Sequence, residues 1–182
     1  HPIFSTNAED IRLLDDAKSR ELIARLCRAE VRNLGGSEGS VTWGGDQRAK
    51  DGGVDVRVDA DIMVGNSAYV PKLATAYQVK AERFAAKRIA SEIAPGGVLR
   101  PAIQELATSK GAYVIVSTRD NLSDSSLTSR KRAMSECLSD HGLSGQVVVD
   151  FFDARRIADW VEQHPTVAVW LRSTLGSPLE GW

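Results

Sequence analysis

Three polar residues in two short segments have the types and the spacing to act on a phosphate ester. Asp55 follows the glycine pair 52–53, and Gln78 and Lys80 lie two apart in a β-prone run. In a strand, residues two apart point to the same face, so Gln78 and Lys80 project together while Val79 points the other way into a core. If the two segments pair, a carboxylate, an amide oxygen and an ammonium converge. Such a group can hold a divalent cation and activate a water molecule for attack on phosphate.

The composition is that of one ordinary domain with no general attraction for polyanions. The 182 residues are 42% hydrophobic and 26% charged, and the formal net charge is −1. Any affinity for nucleic acid must therefore come from a local patch. No apolar run approaches the ~20 residues of a membrane span and no secretory pattern opens the sequence, so we expect a cytoplasmic protein that does not contact a membrane. Cys27 and Cys137 lack metal-ligand spacing and are expected to be buried free thiols.

The periodicity of apolar residues predicts the elements that must position these side chains. Residues 1–14 are expected to form a lead-in, residues 15–175 the domain, and residues 176–182 the start of a linker. Helices are expected over 15–34, 81–93, 99–109, 122–141, 154–162 and 167–175, and strands over 41–43, 54–59, 75–80, 113–117 and 146–151. The first three strands form a predicted β-meander, and the apolar run 113–117 suits the middle of a sheet. This order fits an α/β sandwich with a mixed sheet.

Basic residues follow the Gln78–Lys80 strand and offer a candidate phosphate-contacting surface. Lys80, Arg83, Lys87 and Arg88 would share one side of the predicted helix 81–93, and Lys50 lies in the glycine-rich loop before Asp55. A solvated helix face is the ordinary interpretation of such a cluster. Its position directly after the candidate catalytic strand favours contact with nucleic acid.

The order of these motifs resembles a known enzyme superfamily. A helix carrying a glutamate, then Gly-Gly-x-Asp, then a strand ending in Gln-x-Lys, then a helix, is similar to the PD-(D/E)XK nucleases, in particular to the Mrr-like restriction-endonuclease branch. The matching residues are Gly52–Asp55 and Tyr77–Lys80, and Arg20–Leu26 looks like the first helix of that branch. The resemblance covers about residues 15–120. It implies a restriction-endonuclease-like α/β/α sandwich with a central mixed sheet.

The resemblance also implies roles for individual residues. Asp55 would coordinate Mg²⁺ or Mn²⁺, with Gln78, the backbone carbonyl of Val79 and Glu21 as further ligands. Lys80 would orient or help deprotonate the attacking water and offset charge on the phosphate. Gln78 cannot supply the negative charge of the commoner Glu or Asp, which leaves the number of metal ions open. Glu21 is the expected source of the missing carboxylate, and Glu30 is a weaker candidate farther along the same helix.

The last third of the chain carries a narrower resemblance. Asp150–Asp153, Ile157–Trp160 and His164–Leu171 look like the end of N-terminal nuclease domains in large bacterial anti-phage NTPases. The resemblance implies an effector domain in a bacterial cytoplasm, with a sensor and NTPase region beyond the linker. Because cutting both strands of a duplex needs two active sites, we also expect a homo-oligomer, formed by the domain itself or through that further region.

The predicted function is a metal-dependent endonuclease that cuts DNA, in double-stranded form as the resemblance implies. Taken singly, each residue has an ordinary interpretation: Asp55 as a strand-edge residue, Gln78 and Lys80 as the solvated face of an edge strand, and Glu21 as an exposed carboxylate. Two alternatives stay open. The domain could bind nucleic acid or a protein without cutting, or it could be a scaffold that self-assembles through the helices after residue 122.

Overall fold

A five-stranded mixed sheet runs through the molecule, with helices on both of its faces. The computed structural model describes residues 5–44 and 54–176. The strands are β1 (Val41–Trp43), β2 (Val56–Asp59), β3 (Ala74–Lys80), β4 (Ala112–Ser117) and β5 (Val148–Phe152), and they lie in that order across the sheet. The first three pair antiparallel, as the predicted meander requires, and β3, β4 and β5 pair parallel. The prediction of an α/β fold with a mixed sheet is confirmed.

Seven helices connect and cover the strands within the described ranges. The helices are α1 (Ala8–Arg12), α2 (Asp16–Asn33), α3 (Ile89–Ile93), α4 (Pro101–Ser109), α5 (Asp124–Asp140), α6 (Ala154–Glu162) and α7 (Pro165–Thr174), with 3-10 turns at Glu38–Ser40, Ala86–Arg88 and Pro95–Gly97. The predicted bounds of α6 agree residue for residue, and Asp153 caps it by accepting the Arg156 N–H at 2.9 Å. In the part of the chain that the structure describes, no helix has the length and apolar character needed to cross a membrane.

The two faces of the sheet bury different residues, and this alternation places the candidate site. Tyr77 and Val79 pack into the core under α2, α6 and α7. Ala76 packs into the second core, under α3, α4 and α5. Because side chains alternate along a strand, Gln78 and Lys80 project to the face of Ala76, as the sequence predicts. β4 is buried along its whole length and lies between β3 and β5, which confirms its predicted central position.

Helix α2 presents one apolar side to the sheet and both of its ends are fixed. Asp15 begins the helix by accepting the Lys18 N–H at 2.7 Å. The buried positions are Ser19, Leu22, Ile23, Ala24, Leu26, Cys27, Ala29 and Val31. Gly35 follows the helix with φ +79°, a left-handed conformation that glycine adopts without strain. Cys27 and Cys137 are buried free thiols, as predicted.

The predicted helix over 81–93 is wrong for its first five residues. Phe84 is fully buried, and its N–H donates to the Asp120 carboxylate at 2.9 Å. The Glu82 carbonyl accepts the Ser117 hydroxyl at 2.7 Å. Contacts with the end of β4 thus take up backbone groups that a helix would use for itself. Helical structure begins only at the turn Ala86–Arg88 and continues as α3.

The predicted lead-in, the loop before Asp55 and the predicted linker are described only in part. Within residues 1–14, α1 forms a short helix, and Ile11 and Leu14 belong to the core. The loop 45–53, which holds Lys50 and the glycine pair before Asp55, lies outside the described residues, as do residues 1–4 and 177–182.

Candidate active site

Asp55 lies where β2 begins, beside the end of β3. Its N–H donates to the Tyr77 carbonyl at 2.9 Å, and its Oδ2 accepts the Val79 N–H at 2.7 Å. β3 extends past the first residue of β2, so the Val79 N–H has no β2 carbonyl opposite it. The Asp55 carboxylate accepts this N–H in place of a strand carbonyl. In a strand, the N–H and C=O of one residue point to the same side, so the Val79 carbonyl also faces the side on which Asp55 lies.

A cleft of about 320 Å³ opens along this edge of β3. It is lined by Asp16, Arg20, Asp55, Gln78, Val79, Lys80, Ala81 and Glu82. The structure therefore brings together Asp55, Gln78, Val79 and Lys80 of the predicted site. Three carboxylates and two cations line the cleft, which gives it a formal charge of −1.

The electrostatic surroundings of Asp55 disfavour its ionised form. Burial raises the pKa of Asp55, and the negative charge of Glu92 adds to this effect. The Val79 N–H and the positive charges of Arg20 and Lys80 act in the opposite direction but do not cancel it, so the pKa lies above its ordinary value. The Arg20 Nη1 is 3.9 Å from Asp55 Oδ1. A further cation near Oδ1 would favour the ionised form.

Gln78 supplies a second oxygen with unused capacity. The residue is only 6% exposed, and its Oε1 is buried with no hydrogen-bond partner among the described residues. A buried amide oxygen without a partner costs ~1–3 kcal/mol, and a group that binds it would recover part of that cost. The donor set of Asp55, Gln78 and the Val79 carbonyl consists of hard oxygen atoms, which suits Mg²⁺. Across residues 5–44 and 54–176, no three His, Cys, Asp or Glu side chains form a group that could hold a metal ion, so any such site depends on these neutral oxygens.

Lys80 forms an ion pair with Glu92, a residue that was not predicted to belong to the site. Its Nζ is 3.3 Å from Glu92 Oε1, and the same oxygen is 3.4 Å from Arg100 Nη2. Residue 92 falls within the helix predicted over 81–93, and no role was predicted for it. Because residues 81–85 are not helical, a continuous helix from residue 81 places Glu92 at the wrong angle relative to Lys80, so the pairing could not be predicted.

Glu21 is not among the residues that line the cleft. Its carboxylate lies 2.9 Å from both Lys18 Nζ and Arg25 Nη2, and these two cations lie over the ring of Trp170. An α-helix turns about 100° per residue, so Glu21 lies about 100° around α2 from Arg20 and does not share its side of the helix. Glu30, the weaker candidate, is bound to Trp160 and His164 in the core instead.

Asp16 is the carboxylate that α2 brings to the cleft. Its Oδ1 accepts the Ala81 N–H at 3.2 Å. Asp16 and Arg20 are four residues apart and share a flank of α2, which explains why both line the cleft. The i, i+4 spacing was visible in the sequence, but the flank of α2 that faces the end of β3 was not.

The predicted basic surface is only partly formed. Arg83, Lys87 and Arg88 are exposed, but the prediction that they share one helix side with Lys80 is wrong because residues 81–85 are not helical. Arg88 lies over the Phe84 ring at 4.7 Å and pairs with Glu82 at 2.9 Å. Lys50 lies outside the described residues.

No family model, curated protein or solved structure matches this chain.

Proposed function

We propose that this protein is a Mg²⁺-dependent endonuclease that hydrolyses phosphodiester bonds of double-stranded DNA, and that the cleft beside β3 is its active site. One observation carries the proposal. Asp55, Gln78 and Lys80 line one cleft beside β3, and the buried amide oxygen of Gln78 has no hydrogen-bond partner among the described residues.

The oxygen donors of the cleft fit a magnesium ion. Asp55, Gln78 and the Val79 carbonyl would hold it, and Asp16 offers the further carboxylate that the sequence assigned to Glu21. A bound Mg²⁺ would lower the pKa of a coordinated water and neutralise charge on the phosphate. The formal charge of −1 in the cleft opposes binding of a phosphate, and a divalent ion reverses that sign.

Lys80 and Arg20 supply positive charge on the protein side. The Lys80 ammonium has three N–H donors, so it can face Glu92 and still donate to a phosphate oxygen and to the attacking water. The Arg20 guanidinium, 3.9 Å from Asp55 Oδ1, can donate to a second phosphate oxygen. Both donors stabilise the negative charge that builds up as the phosphate is attacked.

The wider role rests on the resemblance of residues 150–171. We assign the domain to a bacterial anti-phage protein in which it acts as the effector. The preference for double-stranded DNA comes from the resemblance of residues 15–120 to the nuclease superfamily. A homo-oligomer is expected for a different reason: cutting both strands of a duplex needs two active sites.

The test is nicking of supercoiled plasmid in Mg²⁺, in Mn²⁺ and in EDTA. We expect metal-dependent nicking by the wild type and a loss of about 10²-fold or more in Asp55→Ala and in Lys80→Ala, because each removes a group that stabilises the transition state. The matched controls are Asp61→Ala and Lys72→Ala, an exposed acid and an exposed lysine near the opposite end of β3.

Each result has a clear meaning. Nicking at wild-type rates by both Asp55→Ala and Lys80→Ala, with folded protein by circular dichroism, would refute the proposed site. A wild type that binds duplex DNA but never cuts it, with either metal, would support the binding-module alternative.

A further inference from the structure

A partly buried ion cluster joins Lys80 to Glu92 and Arg100, two residues that do not line the cleft. The Glu92 side chain is 12% exposed, while those of Lys80 and Arg100 are each 25% exposed. Glu92 Oε1 lies 3.3 Å from Lys80 Nζ and 3.4 Å from Arg100 Nη2. The carboxylate is thus the most enclosed member, and one of its two cations also lines the cleft.

The backbone around Glu92 is built to keep its carboxylate in place. Arg100 Nε donates to the Glu92 carbonyl at 2.6 Å, and the Arg100 N–H donates to the Ile93 carbonyl at 3.2 Å. The turn Pro95–Gly97 brings Arg100 back to Glu92 and Ile93. Gly96 and Gly97 allow this turn because they adopt positive φ values of 64° and 81°. Arg100 therefore fixes Glu92 through both its main chain and its side chain.

Joining α3 to the sheet does not account for this arrangement. Apolar residues of similar volume often stabilise an enclosed position as well as an ion pair does, so this role alone does not require charged groups. A lysine side chain that reaches into a cleft loses rotamer entropy when its ammonium is held in one place. A fixed carboxylate beside the lysine restricts its rotamers before substrate binds. Charge that is preorganised in this way accelerates a reaction.

We propose that Glu92, itself held by Arg100, is a positioning residue that fixes the ammonium of Lys80 at the cleft; this inference rests on the proposed nuclease function. Glu92 touches neither substrate nor metal in this role and acts through Lys80.

The experiment compares Glu92→Gln, Lys80→Ala and the double variant in plasmid nicking. Glu92→Gln keeps the shape of the side chain and removes its charge. We expect kcat to fall about 10–100-fold with KM unchanged, as for other residues that orient a catalytic group, and we expect no additional loss when Glu92→Gln is added to Lys80→Ala. Glu92→Asp should recover part of the loss.

The matched control is Glu105→Gln. Glu105 also pairs with an arginine, Arg57, at 2.9 Å, but it lies on α4 and its side chain is 63% exposed. We expect wild-type kcat from this variant. Should Glu92→Gln unfold, Arg100→Lys carries the same test, because it keeps the charge but loses the planar group that binds Glu92 at two points.

A second measurement does not depend on cleavage. In reductively ¹³C-methylated protein, the Lys80 signal, assigned with Lys80→Arg, should move in Glu92→Gln and stay in place in Glu105→Gln. Wild-type kcat in Glu92→Gln, alongside an inactive Lys80→Ala, would overturn this inference and leave the nuclease proposal intact. A wild type that cuts nothing would overturn both, and a moved Lys80 signal would then identify the pair as purely structural.

Discussion

Glu30 is a single, mostly enclosed carboxylate that binds three side chains distant from it in sequence. Its Oε2 accepts from Trp160 Nε1 at 3.0 Å and lies 2.7 Å from His164 Nε2, and its Oε1 accepts the Ser67 hydroxyl at 2.8 Å. Burial raises the pKa of Glu30, but the hydrogen bonds from His164, Ser67 and Trp160 together outweigh it, so the pKa is lowered. This residue, proposed from the sequence as a weaker metal ligand, has the contacts of a structural one.

We expect Glu30→Gln to lower the free energy of unfolding by about 1–3 kcal/mol at neutral pH, the range for hydrogen bonds to a charged group. Because the folded-state pKa is lowered, the ionised form stabilises the fold above the unfolded pKa, and this contribution is lost as the pH falls through the folded pKa. Urea denaturation at about pH 7 and about pH 3.5 should therefore show a wild-type advantage that shrinks in acid.

The control for Glu30 is Glu38→Gln, which removes a half-exposed carboxylate that pairs with Arg32 at 3.0 Å. Exposed pairs contribute little, so we expect a change within about 0.5 kcal/mol. An advantage of wild type over Glu30→Gln that is equal at both pH values would contradict a role for the charge of Glu30.

At the scale of elements, the end of β3 is fixed by neighbours that are distant in sequence. The N–H of Phe84 is bound by Asp120, 36 residues later, and the edge of β3 is bound by Asp55 and Asp16. A pattern of apolar residues reports which side of an element is buried. It does not report which backbone groups a distant carboxylate will bind.

This limit explains which parts of the fold and of the site could be predicted. Strand alternation was sufficient to orient Gln78, Val79 and Lys80, because the two-residue period is local. The apolar run of β4 was sufficient to place it inside the sheet. Neither the flank of α2 that meets the cleft nor the loop over 81–85 has a local signal, so Glu21 was favoured over Asp16 and Glu92 received no role.

The join between α4 and β4 offers a direct test of how closely these elements approach. Gly111 donates its N–H to Leu106 at 2.7 Å and accepts from Val148 at 3.0 Å. An added Cβ would run into the carbonyl oxygen of Ala74 and would lie 2.8 Å from Leu106 Cδ2. We expect Gly111→Ala to lower the free energy of unfolding by about 1–3 kcal/mol, because β3 and β4 must move apart.

The comparison for Gly111 is Gly39→Ala, where the nearest atom, Ser37 Oγ, would be 3.4 Å from the new Cβ. Urea denaturation should show a lower midpoint with an unchanged slope for Gly111→Ala and almost no change for Gly39→Ala. Equal midpoints for the two variants would mean that Gly111 and Ala74 are less closely packed than the structure indicates.

At the scale of the whole molecule, charge does not favour DNA. The chain has a formal net charge of −1, and the cleft has the same sign by its own residues. We therefore expect affinity for a short DNA duplex, measured by fluorescence anisotropy, to rise about tenfold, ~1.4 kcal/mol, when Ca²⁺ replaces EDTA. Asp55→Asn should lose most of this gain, because it removes a negative ligand.

The control for DNA binding is Asp61→Asn, an exposed acid outside the cleft, which should keep the full Ca²⁺ effect. Equal wild-type affinity in EDTA and in Ca²⁺ would show that binding does not depend on a cation in the cleft.

The carboxylates beside β3 also bear on how the protein avoids aggregation. Beyond the start of β2, the N–H groups of Val79 and Ala81 point away from β4, and an open strand edge of this kind recruits strands from other molecules. Asp55 and Asp16 accept both N–H groups and add negative charge along the edge. An incoming strand would find these donors already bound and its own carbonyl oxygens repelled. Among the described residues, this edge of β3 can thus stay unpaired without becoming a template for fibre growth.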